Sequence, residues 1–228
     1  MSYDALAQHY DSFTSNMGYK KRTEFICALL SSVPRTSTIL DLACGTGIYS
    51  RALLDFGYDV IGIDASPDML SIAREKCPAL LLLCQRLEDL DLYGTAQAAI
   101  CLTDSVNHIT EPKFVQKFFK RLALFLEPGS PFIFDINTLY KHEHILANNT
   151  FVYENSEATL VWHNKWLPED KMTEITLDFG EEQERFCERV YELEELTNWL
   201  NDAGFAVEQT LEAPGEEKER IYIIATKI

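Results

Sequence analysis

The chain has 228 residues, 46% hydrophobic and 25% charged, a usage that excludes disorder and is long enough for one well-buried domain. Its formal charge of −16 is concentrated late: residues 1–150 hold 17 acids and 13 bases, residues 151–228 hold 19 and 7, and basic clusters stop at Lys20-Lys21-Arg22 and around Lys117, Lys120 and Arg121, which disfavours a nucleic-acid partner. Six cysteines without a CxxC pair read as free thiols, and the longest apolar run, Ala79 to Cys84, is too short to span a bilayer.

Residues 1–13 are polar with aromatics at Tyr3, Tyr10 and Phe13, and lack the basic start and apolar core of a secretory leader, so a cytoplasmic protein is expected. A loop follows, then a helical pattern from Tyr19 to Leu30 that Pro34 stops. Thr38 to Gly47, TILDLACGTG, is a short apolar run closing in a loop of small residues. Such a run suits a parallel strand covered on both faces, and Gly45 and Gly47 give the backbone the freedom a ligand-binding turn needs. A helix over Tyr49 to Phe56 leads to a second strand, Tyr58 to Asp64, ending in a carboxylate. An acid at that tip can bond a ribose diol. The nicotinamide pattern GxGxxG fails at its third glycine, where Ser50 stands, and Asp41 ahead of the loop would oppose a pyrophosphate. A ligand with an ammonium group and a ribose fits better.

At these residues the chain resembles the class I S-adenosylmethionine-dependent methyltransferases, whose first motif looks like DLACGTG and whose second strand ends in an acid. The resemblance implies a Rossmann-like α/β fold, a doubly wound, mostly parallel seven-stranded sheet. It implies S-adenosyl-L-methionine as cofactor, held by Asp41, Ala43, Gly45, Gly47 and Asp64. In many such enzymes an N-terminal helical segment closes over the cofactor, so Tyr10 and Tyr19 either line the site or pack the segment down.

Ser66-Pro67 caps a helix reaching about Lys76. Met69, one turn in, either packs on the adenine, as the resemblance implies, or fills core. Leu80 to Cys84 reads as a third buried strand. Near position 86 the family usually offers an acid to the adenine amine, whereas Arg86 stands here; the backbone of Leu87 or the carboxylate of Glu88 is the substitute. The fourth strand, Ala96 to Leu102, ends in TDSVNHI, which puts Asp104, Asn107 and His108 at the carboxyl edge of the sheet beside the reacting methyl, with Leu102 at the cofactor. Asp104, His108 and Tyr10 are the candidate catalytic residues. Asp104 and Asn107 have an equally strong reading as partners of loop backbone.

Pro112 to Phe125 is an amphipathic helix, the LEPG turn again resembles the family, and Phe132 to Asn137 is a fifth strand. His142-Glu143-His144 lacks the HExxH spacing that puts two ligands on one helical face, so no metal is expected and a solvated surface is the reading. The runs Thr150 to Glu154, Ala158 to Trp166, Met172 to Phe179 and Arg185 to Tyr191 are rich in aromatic and β-branched residues and read as an antiparallel β cap inserted over residues 138–191. Alternation puts Leu160, Trp162, Asn164 and Trp166 on one face, which packs on the sheet edge as aromatic strand faces usually do, lines a substrate pocket or meets a second subunit, and Val161, His163 and Lys165 on the other, the alternative pocket wall. The cofactor domain, residues 1–137 and 192–228, then closes with a helix from Leu193 to Ala203, a strand Phe205 to Leu211, an acidic loop and a last strand Arg220 to Thr226.

The ERVY stretch at Glu188 to Tyr191, with the β-rich insertion, resembles a bacterial small-molecule methyltransferase subgroup. Methyl transfer to a nitrogen or oxygen of a small molecule is the expectation, by a monomer or homodimer without membrane or nucleic-acid partners. A cofactor-binding sensor without turnover and a nicotinamide oxidoreductase are the competing readings.

Overall fold

Residues 11, 13, 18–154, 159–180 and 182–228 are described by the computed structural model; Tyr10 and the Asn155-Ser156 turn signal lie outside them. Five strands in chain order, β1 (Thr38–Leu42), β2 (Asp59–Asp64), β3 (Leu81–Cys84), β4 (Ala98–Cys101) and β5 (Pro131–Asn137), alternate with helices α1 (Tyr19–Leu29), α2 (Ile48–Asp55), α3 (Pro67–Lys76) and α4 (Pro112–Leu124). A separate sheet follows, made of β6 (Thr150–Glu154), β7 (Thr159–Leu167), β8 (Met172–Asp178) and β9 (Gln183–Arg189). The chain ends in α5 (Leu193–Asp202), β10 (Phe205–Glu212) and β11 (Arg220–Lys227).

The main sheet runs β10-β11-β5-β4-β1-β2-β3, with β11 antiparallel to both neighbours and every other pairing parallel. The doubly wound, seven-stranded sheet that the sequence implies is therefore present. Its winding reverses between β1 and β4, which opens a crevice at their carboxyl ends. The central strands are apolar on both faces because both are covered, and β4 is buried along its whole length. β3 departs from the expectation of a buried strand: it pairs only with β2, and Leu81 is 53% exposed. β4 is also shorter than expected, Ala96 standing outside it in an isolated bridge to Leu126.

Helix starts follow local chemistry. Ser66 Oγ accepts from the Met69 amide at 3.2 Å and Pro67 opens α3. Gly47, with φ +79°, precedes α2, and a Cβ there would stand 3.1 Å from Ala73 Cβ, so the glycine lets the loop approach α3. One element has no counterpart in the periodicity: Lys141–Leu146 forms a single π-helical turn. It buries His142, whose Nδ1 lies 2.7 Å from Thr173 Oγ1, while Glu143 and His144 are exposed. The solvated surface expected for HEH is thus corrected at His142.

The four-stranded antiparallel sheet, ordered β6-β7-β8-β9, is fastened to the loop after β4. Asn107, fully buried, accepts from the Asn137 amide at 3.0 Å and donates to the Arg189 carbonyl at 2.8 Å, while its own carbonyl accepts from the Arg189 amide at 2.8 Å. Of its two readings, the backbone-satisfying one accounts for these contacts. In the core beneath α4, Phe132 of β5 meets Phe118 and Phe119 of that helix, Phe134 of its own strand and Phe205, at ring-centroid distances of 4.9 to 6.1 Å. Phe132→Ala should cost about 3–5 kcal/mol of stability. Urea denaturation should show the midpoint falling with the slope unchanged.

Candidate active site

A cavity of about 440 Å³ opens where the carboxyl ends of β1, β2 and β4 meet the inner face of the four-stranded sheet. Ala43, Gly45, Asp64, Met69, Leu87, Asp104 and His108 lie along one side; Tyr153, Leu160, Trp162, Leu177, Phe186 and Glu188 lie along the other. Alternation in β7 decides which face looks inward. Leu160 and Trp162 line the cavity, Trp162 donates to Asn164 Oδ1 at 2.7 Å, and Trp166 packs at 5.8 Å from the His142 ring. The opposite face is turned outward: His163 and Lys165 are exposed, and Lys165 pairs with Glu174 at 3.0 Å. It forms no wall of this cavity, which corrects that alternative.

The glycine loop reaches the cavity through strained backbone. Ala43, Gly45 and Gly47 have φ of +56°, +54° and +79°. For Ala43 this left-handed conformation costs on the order of 1–3 kcal/mol, a sign of a loop held by its surroundings. Asp64 does much of that holding, since Oδ2 accepts from the Gly45 amide and Oδ1 from the Ser66 amide, both at 2.8 Å. Burial raises its pKa and the backbone bonds oppose the rise. A carboxylate has about four acceptor sites, so each oxygen retains capacity for a hydroxyl.

Asp41 lies deeper. It is 2% exposed, accepts from Ser50 Oγ at 2.5 Å, and has its pKa pushed up to about 7 by burial, against the Ser50 bond. Asp41 and Leu102 border a separate hollow of about 30 Å³, together with Tyr19, Thr46 and Tyr49, and not the larger cavity. The two spaces share Ala43, Gly45 and Thr103. Gly47 borders neither, its packing on Ala73 being its visible role. Met69 is buried against Leu160, Ile175 and Leu177, as its core reading has it, and also lines the cavity. Arg86 folds back on Glu88, Nε to Oε1 at 2.6 Å, with its side chain 62% exposed and Glu88 buried beside the cavity.

The loop after β4 is tied down from below. Thr103 and Asp104 are consecutive left-handed residues, φ +57° and +53°. The Asp104 amide donates to Asp135 Oδ2 at 3.1 Å, and Asp104 Oδ1 accepts from Arg220 at 2.7 Å. Arg220, fully buried, also pairs with Asp135 and, at 3.0 Å, with Glu216. Burial works against ionising Asp104, but Arg220, Lys141 and His108 outweigh it and hold the carboxyl well below the usual range. One oxygen of this candidate catalytic group is thus committed to the protein. The other stands 3.9 Å from His108 Nε2, which lies 3.8 Å from Glu188 Oε1 on β9. Glu188 Oε2 accepts from Asn137 at 3.2 Å. Burial and the nearby Asp104 push its pKa up to about 8, against Asn137, Lys141 and Arg220, while burial lowers His108 against Asp104 and Asp64.

The structure therefore gathers Asp104, His108, Ala43, Gly45, Asp64, Met69, Arg86 and Leu87 about one cavity. Glu188 and Arg220 were not among the sequence candidates. ERVY flagged the neighbourhood of Glu188 without its chemistry, and an arginine opening a strand carries no signal of a buried hub.

A model of the family described as "Methyltransferase domain" matches residues 39–129. YqeM of Bacillus subtilis (strain 168), which is named as a methyltransferase, is 30% identical over 245 residues, spanning 100% of this chain and 98% of that protein. A dTDP-3-amino-3,6-dideoxy-alpha-D-glucopyranose N,N-dimethyltransferase of Streptomyces fradiae is 30% identical over 126 residues, 54% of this chain and 49% of that enzyme. An S-adenosylmethionine-dependent methyltransferase from Clostridium acetobutylicum ATCC 824 is similar in structure with a TM-score of 0.85 at 28% identity, covering 99% of this chain and 98% of that one. Among the described residues no helix is long and apolar enough to cross a membrane.

Two outcomes follow from the buried charges. Arg220→Met should destabilise the protein by about 3–5 kcal/mol by leaving Asp104 and Asp135 unpaired, and adding Asp135→Asn should restore part of the loss, both read by urea denaturation. Asp41 and Glu188 bind protons more tightly folded than unfolded, so the ligand-free protein should lose stability as pH rises from about 4 through about 7 and 8. Asp41→Asn should flatten the lower part of that slope, by on the order of a few kcal/mol across it, in melts run from pH 4 to 8.

Proposed function

We propose, for a chain that belongs to the S-adenosylmethionine-dependent methyltransferases, that the cavity holds S-adenosylmethionine against the glycine loop and Asp64 and passes its methyl to a nitrogen of a small molecule admitted beneath β7 to β9. The observation that carries this reading is the bond from the Gly45 amide to Asp64, which joins the loop of the first strand to the acid of the second at one edge of the cavity. The residues fit the cofactor. A Cβ at Gly45 would meet nothing within 4 Å, so the loop faces open space, and the volume falls within the range of roughly 300–1,000 Å³ usual for small-molecule sites.

On this reading Asp64 accepts from the ribose hydroxyls, and Met69 and Leu87 flank the adenine, with Glu88 taking the role left open by Arg86. Asp41, Leu102 and the smaller hollow receive the amino-acid end. An ammonium placed there would favour the ionised form of Asp41, which burial alone disfavours. The cofactor supplies an activated methyl group, so the protein's own task is to align the acceptor and exclude water. Trp162, Phe186 and Tyr153 roof the site and serve both ends. Asp104 and His108 are the candidates to meet the acceptor on this reading, with Tyr10 a third candidate from the sequence that lies outside the described residues. The nitrogen acceptor takes support from the named activity of the Streptomyces fradiae relative. A reducing cytoplasm suits six free thiols, and a monomer or homodimer is the working assembly.

Calorimetry should detect binding of S-adenosylmethionine and S-adenosylhomocysteine and none of NAD. Asp64→Asn should weaken S-adenosylhomocysteine by about 1.5–3 kcal/mol, the worth of a charge-assisted hydrogen bond. Tight NAD binding without either sulfur compound would reject the reading.

A further inference from the structure

The cavity wall is unbalanced in charge. Among the described residues it carries five carboxylates, Asp64, Glu88, Asp104, Glu111 and Glu188, against one guanidinium, Arg86, which Glu88 already holds. Arg220 below the floor is engaged by three carboxylates, Lys141 of the π turn acts on Asp104 and Glu188, and Glu111 is paired with Lys113 at 2.5 Å. Residues 1–17, 155–158 and 181 contain no lysine or arginine. A phosphate or diphosphate inside this cavity would lose water, find the neighbouring cations already engaged by carboxylates, and face like charge.

The remaining wall is apolar, with Phe114, Tyr153, Leu160, Trp162, Leu177 and Phe186 forming a surface suited to a hydrocarbon or ring. At its edge stands Glu188, beside His108 and Asp104, with one side-chain oxygen or nitrogen of each of the three within 4.8 Å of the others. We propose that the methyl acceptor is an unphosphorylated amine carried on an apolar or aromatic body, and that Glu188 receives its nitrogen and takes the proton that nitrogen must lose. This rests on the reading given under Proposed function, and narrows it away from the nucleotide-linked sugar of the named relative.

The step balances as follows. The acceptor enters as an ammonium and its proton passes to the Glu188 carboxylate, leaving a neutral amine and a carboxylic acid. The nitrogen lone pair then forms the new N–C bond as the C–S bond breaks, its electron pair going to sulfur, and the product leaves as an N-methylated ammonium. A carboxyl whose affinity for protons is raised by burial is suited to that acceptance. The groups facing it are Asp104 and His108 from the loop after β4, Asn137 of β5, Lys141 and His142 of the π turn, and Arg220 of β11. None lies on its own strand.

The full chain is offered S-adenosylmethionine with phenethylamine, tryptamine or a thymidine diphosphate-linked amino sugar, and S-adenosylhomocysteine formation is followed. Turnover of either simple amine, with the diphosphate sugar at background, is the expected result. Turnover of the diphosphate sugar, or silence with all three while calorimetry shows cofactor bound, overturns the inference. Absence of cofactor binding instead overturns the reading beneath it. Glu188→Gln keeps an acceptor for Asn137 and should lower kcat/KM for the amine on the order of 10²-fold, with S-adenosylhomocysteine affinity unchanged and the pH dependence of kcat near 8 flattened. An unchanged pH profile would remove Glu188 from the proton step.

Discussion

Arg220 is a guanidinium without access to water, and the geometry around the site is arranged so that it is never without counter-charge. It begins β11 in register with Asn137 of β5, one strand away from Asp135, which it pairs with. Its other partners, Asp104 and Glu216, come from the loop after β4 and the turn before β11, and Glu216 in turn pairs with Arg22 of α1. One cation thus ties the loop after β4 and β5 to the turn before β11, and α1 joins through Glu216. Such a network is weak evidence of net stability, because desolvating the charges offsets most of their attraction. Its consequence is positional. The left-handed pair Thr103-Asp104 persists because the Asp104 amide and carboxylate are both held, and that pair sets the edge of the cavity.

Commitment of Asp104 to Arg220 also divides labour among the acids. A carboxylate kept ionised by a buried cation is a poor proton acceptor, whereas one raised by burial is a good one. Asp104 and Glu188 stand on either side of His108 with their proton affinities pushed in opposite directions. At the glycine loop Asp64 and Asp41 are both raised by burial, and they differ in their partners instead. Asp64 holds two backbone amides at the cavity, and Asp41 holds Ser50 at the bottom of the small hollow.

What was legible in the sequence was local. Ser66 and Pro67 announce α3, the TILDLACGTG run announces β1 and its loop, and the period of two in β7 puts Trp162 and Leu160 on one face. These signals lie within a few residues of the feature they specify. Arg220 and Asp104 are 116 residues apart, and neither has a pattern that names the other. The position of Glu188 depends on β9 pairing in a sheet whose placement the sequence does not state. The burial of His142 depends on a π turn, which has no periodicity to read. β3 read as buried because four consecutive leucines look the same at an edge as in the centre, and only the strand order distinguishes them.

The four-stranded sheet is held to the cofactor-binding sheet at the point where the chemistry is expected. Asn107 bonds the backbone of Asn137 and Arg189 together, and Asn137 bonds Glu188, so the roof, the fifth strand and the loop after β4 share one buried amide pair. A side chain with both donor and acceptor is needed there, since it must meet an amide and a carbonyl at once. Leu160 and Trp162, farther along β7, pack instead with Met69, Ile175 and Leu177. On the proposed reading the polar attachment and the apolar roof are separate parts of one wall, so a changed side chain in the roof reaches the acceptor without unpairing the buried amides.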